Sequence, residues 1–302
     1  MRHLCIFDVS PFCHAGAVNK YAYIEGPVRD DGNGYHSTDI PAGGPALLFN
    51  KIYELLPQGC DMVFCCDRNP TVKKAMLASY KSNRKHTVAM EHMKEVTERI
   101  LQDCGFLVLA EDGYEADDFI YSLVQRYKGE YDKISIYTGD SDLCFLVDEV
   151  VSIEPSSSSA KHVDIHNYET IIKKGYRMPY NSCTMDKILY GDTSDCIPGL
   201  PTEQREQLKA MVYTETTMTS LGDKQFVHEF LELVAPWAIP QADLVFPLDV
   251  RVPDELEYTI SKDKVNQWGY LMHCKSFKTK VPISDDTKSV HADMIEDGLY
   301  SE

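Results

Sequence analysis

Of four short, β-prone apolar runs in the first half of this chain, two lead directly into an aspartate and a third does so after Thr138-Gly139, and this limits the fold more than any other feature. The runs are Leu4-Cys5-Ile6-Phe7, Met62-Val63-Phe64-Cys65-Cys66, Phe106-Leu107-Val108-Leu109 and Ile134-Ser135-Ile136-Tyr137. Short apolar runs of this kind are expected of strands covered on both faces. Helical patterns lie between them. Pro45 to Leu56 carries Leu48, Ile52, Leu55 and Leu56 on one side, and Met93, Val96 and Ile100 mark a helix between the second and third runs. Ala116, Phe119, Ile120, Leu123, Val124 and Tyr127 follow the i, i+3, i+4, i+7 rule. Strand and helix in alternation predict an α/β fold with a mostly parallel central sheet flanked by helices.

In such a sheet the carboxyl ends of the strands share one crevice, where ligands usually bind. Asp8 follows the first run, Asp67 the second, and Asp140 with Asp142 the fourth, after Thr138-Gly139. Glu115, Asp117 and Asp118 open the helix after the third run, and Asp192 and Asp195 stand three apart in Gly191-Asp-Thr-Ser-Asp195. Any one of these alone reads as a loop residue or a helix cap. Nine carboxylates aimed at one place would repel and raise one another's pKa unless hard cations sat among them. Oxygen-only ligands without an accompanying His or Cys set favour Mg²⁺ or Mn²⁺ over zinc, and two or more ions would suit in-line displacement at phosphorus.

The net charge of −17 argues at first against a polyanionic partner. The distribution answers it: residues 68–100 hold Arg68, Lys73, Lys74, Lys81, Arg84, Lys85, Lys94 and Arg99 against Glu91, Glu95 and Glu98 alone. The ten cysteines are scattered, with no C-x-x-C pair, and read as reduced, mostly buried thiols. No apolar run approaches the roughly 20 residues that span a membrane, and no signal-peptide pattern opens the chain, so cytoplasmic residence is expected. Residues 26–44 and the stretch around Pro155 to Ser159 read as surface loops. Expected regions are a core over 1–185, a helical C-terminal region over 186–283, and an acidic, mobile tail over 284–302 with six acids and one lysine.

In order and approximate spacing, Phe7-Asp8, Cys66-Asp67, Tyr80-Lys81-x-x-Arg84, Glu115-Ala116-Asp117-Asp118, Thr138-Gly139-Asp140-Ser141-Asp142 and Gly191-Asp192-x-Ser194-Asp195-x-Ile197-Pro198-Gly199 resemble the 5′-nucleases that include flap endonucleases and the small bacteriophage enzymes. The resemblance covers about residues 1–200. It implies a PIN-like 5′-nuclease core, with Asp8, Asp67, Glu115, Asp117 and Asp140 near the first metal and Asp118, Asp142, Asp192 and Asp195 acting through water or at a further ion. It implies that residues 68–100 form a helical arch over the site, with Lys81 and Arg84 at the scissile phosphate, where a fixed cation lowers the barrier most. Tyr80 is then placed to stack on a neighbouring base. The implied partners are DNA with a 5′ single-stranded end or flap, an RNA–DNA hybrid, and a replication protein.

One block departs from the family. Where its members continue into a glycine-rich hairpin, this chain reads Leu200-Pro201-Thr202-Glu203, and Thr202 to Met211 has the pattern of a capped helix. That leaves fewer backbone N–H groups for a downstream duplex. Two other readings remain: a PIN-type ribonuclease, and a replication or repair binding protein that keeps the fold without cutting.

Overall fold

A computed structural model of the chain describes residues 1–18, 23–30, 35–85, 87–156, 162–164, 172–173, 176–177, 180–212, 223–274 and 281–299. Its centre is a sheet of five parallel strands: β1 (His3–Asp8), β2 (Asp61–Cys65), β3 (Leu107–Leu109), β4 (Lys133–Thr138) and β5 (Val151–Pro155). They lie in the order β3-β2-β1-β4-β5, each neighbouring pair parallel. The order reverses between β1 and β4, and connections that diverge there open a crevice at the strands' carboxyl ends. Four strands match the expected runs to within a residue or two. The fifth does not: β5 falls partly where a loop was expected, because Pro155 reads as a breaker, yet an edge strand tolerates proline.

The strands bury alternate residues on opposite faces, as a period of two requires. Cys5 and Phe7 point into a cluster with Phe12, Phe49, Met93, Val96 and Ile100, while Leu4 and Ile6 meet Phe119, Ile120 and Leu123. The first face is covered by α1 (Val9–Val18), α2 (Gly43–Leu55) and α4 (Val88–Asp103), the second by α5 (Ala116–Tyr127), with the short α3 (Thr71–Met76) after β2. Helices α1 and α2 approach so closely that a Cβ on Gly16 would lie 2.0 Å from the Gly44 nitrogen. Within 26–44, read as an irregular loop, Val28–Asp30 pairs with Tyr35–Ser37 and Tyr23–Ile24 pairs with Ile40–Pro41, both antiparallel.

The C-terminal half divides differently from the expected boundaries. Helices α6 (Tyr180–Tyr190), α7 (Thr202–Val212), α8 (Lys224–Val234) and α9 (Ile239–Val245) share one apolar cluster that includes Ile188, Leu208, Leu231 and Phe246. The chain then returns over α5, where Val250, Val252 and Leu256 join the sheet's second face and the Tyr258 hydroxyl donates to Asp61 at 2.9 Å. Helices α10 (Lys262–Leu271) and α11 (Asp285–Glu296) finish on the first face. The stretch expected to be a mobile acidic tail is therefore, over 285–296, a docked helix capped by Ser284, whose Oγ accepts the Thr287 N–H. Charge alone misled that reading: Met294, Ile295 and Leu299 are buried, each stabilising by about 1.5–3 kcal/mol.

Candidate active site

The crevice above β1 and β4 collects acids from separate elements. Asp8 ends β1 and is 5% exposed; its Oδ2 accepts the Thr138 hydroxyl at 2.9 Å and its Oδ1 the Ser10 N–H at 3.2 Å. Asp67, two residues past β2, accepts the Ser10 hydroxyl at 2.5 Å and the Ala116 N–H at 3.0 Å. Asp140 follows the Thr138-Gly139 turn, where its own N–H donates to Thr138 Oγ1 at 3.0 Å. Asp117 stands in the first turn of α5. Asp8, Asp67, Asp117 and Asp140 line one cleft of about 400 Å³, together with Ser10, His14, Lys81, Arg84 and Lys94.

Around this inner set lie acids already matched to protein cations. Glu115, the N-cap of α5, pairs with Lys81, accepts the Tyr80 hydroxyl at 2.7 Å and lies 3.5 Å from the Lys73 ammonium. Asp195 accepts from Arg84 at 2.8 Å and sits 3.6 Å from Lys81. Lys187, on α6, bridges Asp142 and Asp192. Asp192 also accepts the Ser194 N–H and hydroxyl, in a turn where Gly191 has φ +79° and a Cβ would meet the Gly199 nitrogen at 2.4 Å. Lys81 itself has φ 52°, a left-handed conformation uncommon outside glycine, held by its N–H donating to the Asp195 carbonyl at 2.9 Å.

Eight of the nine predicted acids thus converge, and Asp118 does not. Its Oδ2 closes a capping box on the Glu115 N–H at 2.9 Å, and its Oδ1 accepts the Leu248 N–H at 2.6 Å. At 1% exposure it fastens α5 to the returning C-terminal chain rather than facing a metal. Tyr80 needs a similar correction. It is 2% exposed, packed with Ile197 and Leu244, so its ring has no face free to stack on a base; it orients Glu115 instead. The arch is corrected in part. The 77–84 segment lies over the acids, but Met90, Met93, Val96, Ile100 and Leu101 anchor α4 in the core, so 88–100 is not a free arch. A second cleft of about 730 Å³, where Arg68, Lys74, Lys94 and Arg99 alternate with Glu91, Glu95 and Glu98, meets the first at Asp67, Lys81, Arg84, Glu91 and Lys94.

Sequence reasoning missed Lys187 altogether and did not single out Lys73, Ser10 or Thr138. The only signal for Lys187 was a lysine in the last turn of the helix that leads into Gly191-Asp192. Buried polar residues such as Ser10 and Thr138 carry no such mark.

Burial raises some of these acids, while neighbouring cations and hydrogen bonds hold others low. Burial, with Asp67 next, pushes the Asp8 carboxyl well above the usual range, and burial with Asp140 and Asp8 does the same to Asp117. Burial and the neighbouring Asp142 push Asp140 up to about 6. At Glu115 burial would act the same way, but Lys81 and Lys73 bring it below its ordinary value. Asp67 is likewise held low despite burial by Lys94, the Ser10 hydroxyl and the Ala116 N–H. Asp8, Asp117 and Asp140 are therefore carboxylates with no adequate counter-charge. An oxygen-only set of this kind fits a hard divalent cation.

Comparison with known proteins finds relatives in sequence and in fold. Residues 31–175 match the N-terminal, resolvase-like domain of 5′-3′ exonucleases. The DNA polymerase I of Caldicellulosiruptor bescii is 34% identical over 235 residues, which is 72% of this chain and 27% of the polymerase. The 5′-3′ exonuclease of Aquifex aeolicus is 29% identical over 202 residues, covering 66% of this chain and 65% of that protein. Against the DNA polymerase I of Mycobacterium leprae, 30% identical over 166 residues, the chain spans only 18% of the relative's length. The bacteriophage T5 D15 flap endonuclease, solved as a complex with DNA and metal ions, matches over 99% of this chain and 98% of its own at 14% identity with a TM-score of 0.50. A likeness at that identity speaks for a shared fold.

Proposed function

We propose that this chain, whose residues 31–175 match the N-terminal, resolvase-like domain of 5′-3′ exonucleases, is a member of that family and hydrolyses phosphodiester bonds near 5′ ends, with divalent metal held by Asp8, Asp67, Asp117 and Asp140. The observation that carries this reading is the inner set itself: four carboxylates from separate elements in one cleft, three of them raised in pKa by burial and by neighbouring carboxylates. Asp8 precedes the matched span, and its place in the set rests on its position in the cleft and on the Phe7-Asp8 block. Mg²⁺ or Mn²⁺ held there would supply an activated water and steady the leaving oxygen.

The chain's own residues do the rest. Ser10, Thr138 and the Ala116 N–H orient Asp8 and Asp67, and the four carboxylates would draw closer together around an ion. Lys81 and Arg84 stand where the two clefts meet, and their charge would fall on the phosphate as its own charge grows. Arg68, Lys74, Lys94 and Arg99 would carry the phosphates of a single-stranded 5′ arm. We assign the substrate as DNA with such an arm or flap, or an RNA primer on DNA, and give downstream duplex a minor part. Leu200 is buried in the C-terminal cluster and leads directly into α7, where Glu203 repels phosphate. A replication protein could supply affinity that this segment lacks.

The test is to incubate the purified protein with 5′-labelled flap, nicked and RNA-primed substrates in Mg²⁺, Mn²⁺ or excess chelator. Cleavage near 5′ ends that stops in chelator is expected. Undiminished cutting in chelator, or binding without cutting in every metal, would overturn the assignment.

A further inference from the structure

At the opposite end of the sheet from the acids, His3, Cys5 and Cys60 form a second constellation. Among the described residues it is the one group of three or more His, Cys, Asp or Glu whose donor atoms all lie within 4.8 Å of one another. The strands create it. His3 and Cys5 are two apart on β1 and so share a face, and Cys60 stands just before β2, whose Asp61 pairs with Leu4. Along β1 Cys5 stands three positions and His3 five positions before Asp8, about 10 Å and about 17 Å at strand rise, and none of the three residues lines the cleft that holds the acids.

The geometry points to a binding site for a thiophilic divalent metal of the zinc class, ligated by the Cys5 and Cys60 sulfurs and one imidazole nitrogen of His3. The Cys60 Sγ lies 3.2 Å from His3 Nδ1, and the Cys5 Sγ lies 3.6 Å from Nε2. The second partner of the ring argues for more than a chance meeting of thiols. Ser135 Oγ, fully buried and opposite Cys5 in the β1–β4 register, is 3.0 Å from Nε2. With the ring proton on Nε2 and donated to that hydroxyl, the Nδ1 lone pair faces Cys60. This is the arrangement in which an outer partner fixes the tautomer of a metal-ligating histidine. Both cysteines are free, buried thiols, and His3 is the partly exposed member of the group.

Burial pushes both thiols up from their ordinary values, so without metal they hold their protons. Binding releases both protons to water and leaves two thiolates against a 2+ ion, neutral overall, with the fourth tetrahedral position open to a water molecule. Soft sulfur ligands select such an ion against Mg²⁺, which would remain with the carboxylates. Two metal sites of opposite chemistry then lie at the two ends of one strand.

Cobalt(II) is the probe, because thiolate ligation gives a charge-transfer absorption that oxygen ligation in the acid cleft cannot. One equivalent of Co²⁺ added to the reduced, metal-free protein should produce the band, and Zn²⁺ should abolish it and protect two thiols from a disulfide reagent. Cys60→Ser should lose the band while Asp67→Asn keeps it. Ser135→Ala should keep the band but weaken Co²⁺ affinity by about 10–100-fold. Circular dichroism confirms that each variant is folded, with Cys60→Ala as the substitute if Cys60→Ser is not. No thiolate band in the folded protein, or a band that survives loss of Cys60, would overturn the site. So would two thiols already missing from the metal-free protein, since that assigns the pair to a disulfide.

Discussion

Replacing Asp140 by Asn should make the metal-free protein more stable. Its carboxyl is pushed from 3.8 up to about 6 by burial and by Asp142. The sign follows from linkage: a folded-state pKa above the unfolded value gives stability that is present at low pH and lost as pH rises through about 6. Above that pH the ionised Asp140 costs the fold up to about 3 kcal/mol, since each tenfold change in proton affinity is worth about 1.36 kcal/mol. The amide introduced by Asp140→Asn carries no charge to confine, and its oxygen can still accept the Asp142 N–H, which Asp140 Oδ1 accepts at 2.9 Å. Removing the charge also relieves Asp117, which moves the effect in the same direction.

Thermal unfolding in excess chelator, followed by circular dichroism from about pH 4 to about pH 8, measures this directly. At about 2–4 °C per kcal/mol for a chain of this size, the variant should melt several degrees above the parent near neutral pH and show no advantage near pH 4. Mg²⁺ should reverse the order, since the parent gains by binding the ion and the variant has lost a ligand. A variant no more stable than the parent at neutral pH in chelator, or a difference that does not change with pH, would refute the claim that the inner acids are held in mutual repulsion.

Two further outcomes follow from individual side chains. Lys81→Ala should lower the single-turnover cleavage rate by about a hundredfold or more while weakening substrate binding much less; a loss in affinity with unchanged chemistry at saturation would make Lys81 a backbone-positioning residue. Asp118→Ala should cost about 2–4 kcal/mol of stability equally with and without metal, because it leaves the buried Glu115 and Leu248 N–H groups without acceptors. A loss that appears only with metal present would return Asp118 to the ligand set.

The sheet was legible because β1, β2 and β4 carry their signal locally: apolar residues of strand length with acids just past their carboxyl ends. The same locality explains the convergence of Asp8, Asp67 and Asp140, since a parallel sheet aims those ends at one place whatever else the chain does. What could not be read depends on partners distant in sequence. Asp118 looks identical to Asp117 in a string of acids, and only the turn of α5 and the Leu248 N–H separate a ligand candidate from a cap. Tyr80 is a tyrosine in a basic segment until Ile197 and Leu244 close over it. For α11 the apolar positions were present in the sequence, but a count of charges outweighed their spacing.

Lys81 shows how closely the chemistry and the fold are joined at this site. Its side chain pairs with Glu115 at the head of α5, and its backbone N–H donates to Asp195 in the block that follows α6, so one residue ties the sheet to the C-terminal helices. Lys187 makes a similar tie between Asp142, after β4, and Asp192, after α6. These two lysines, with Lys73 and Arg84, pair with the outer acids and leave Asp8, Asp117 and Asp140, among the acids lining the inner cleft, raised by burial and by neighbouring carboxylates. The demand for metal is therefore set less by the number of acids than by which of them the protein's own cations reach. A phosphate entering beside Lys81 would compete with Glu115 for the same ammonium. As that ammonium turns toward the phosphate, Glu115 would lose a counter-charge and become a better ligand for a cation beside it, coupling substrate arrival to the metal affinity of the cleft.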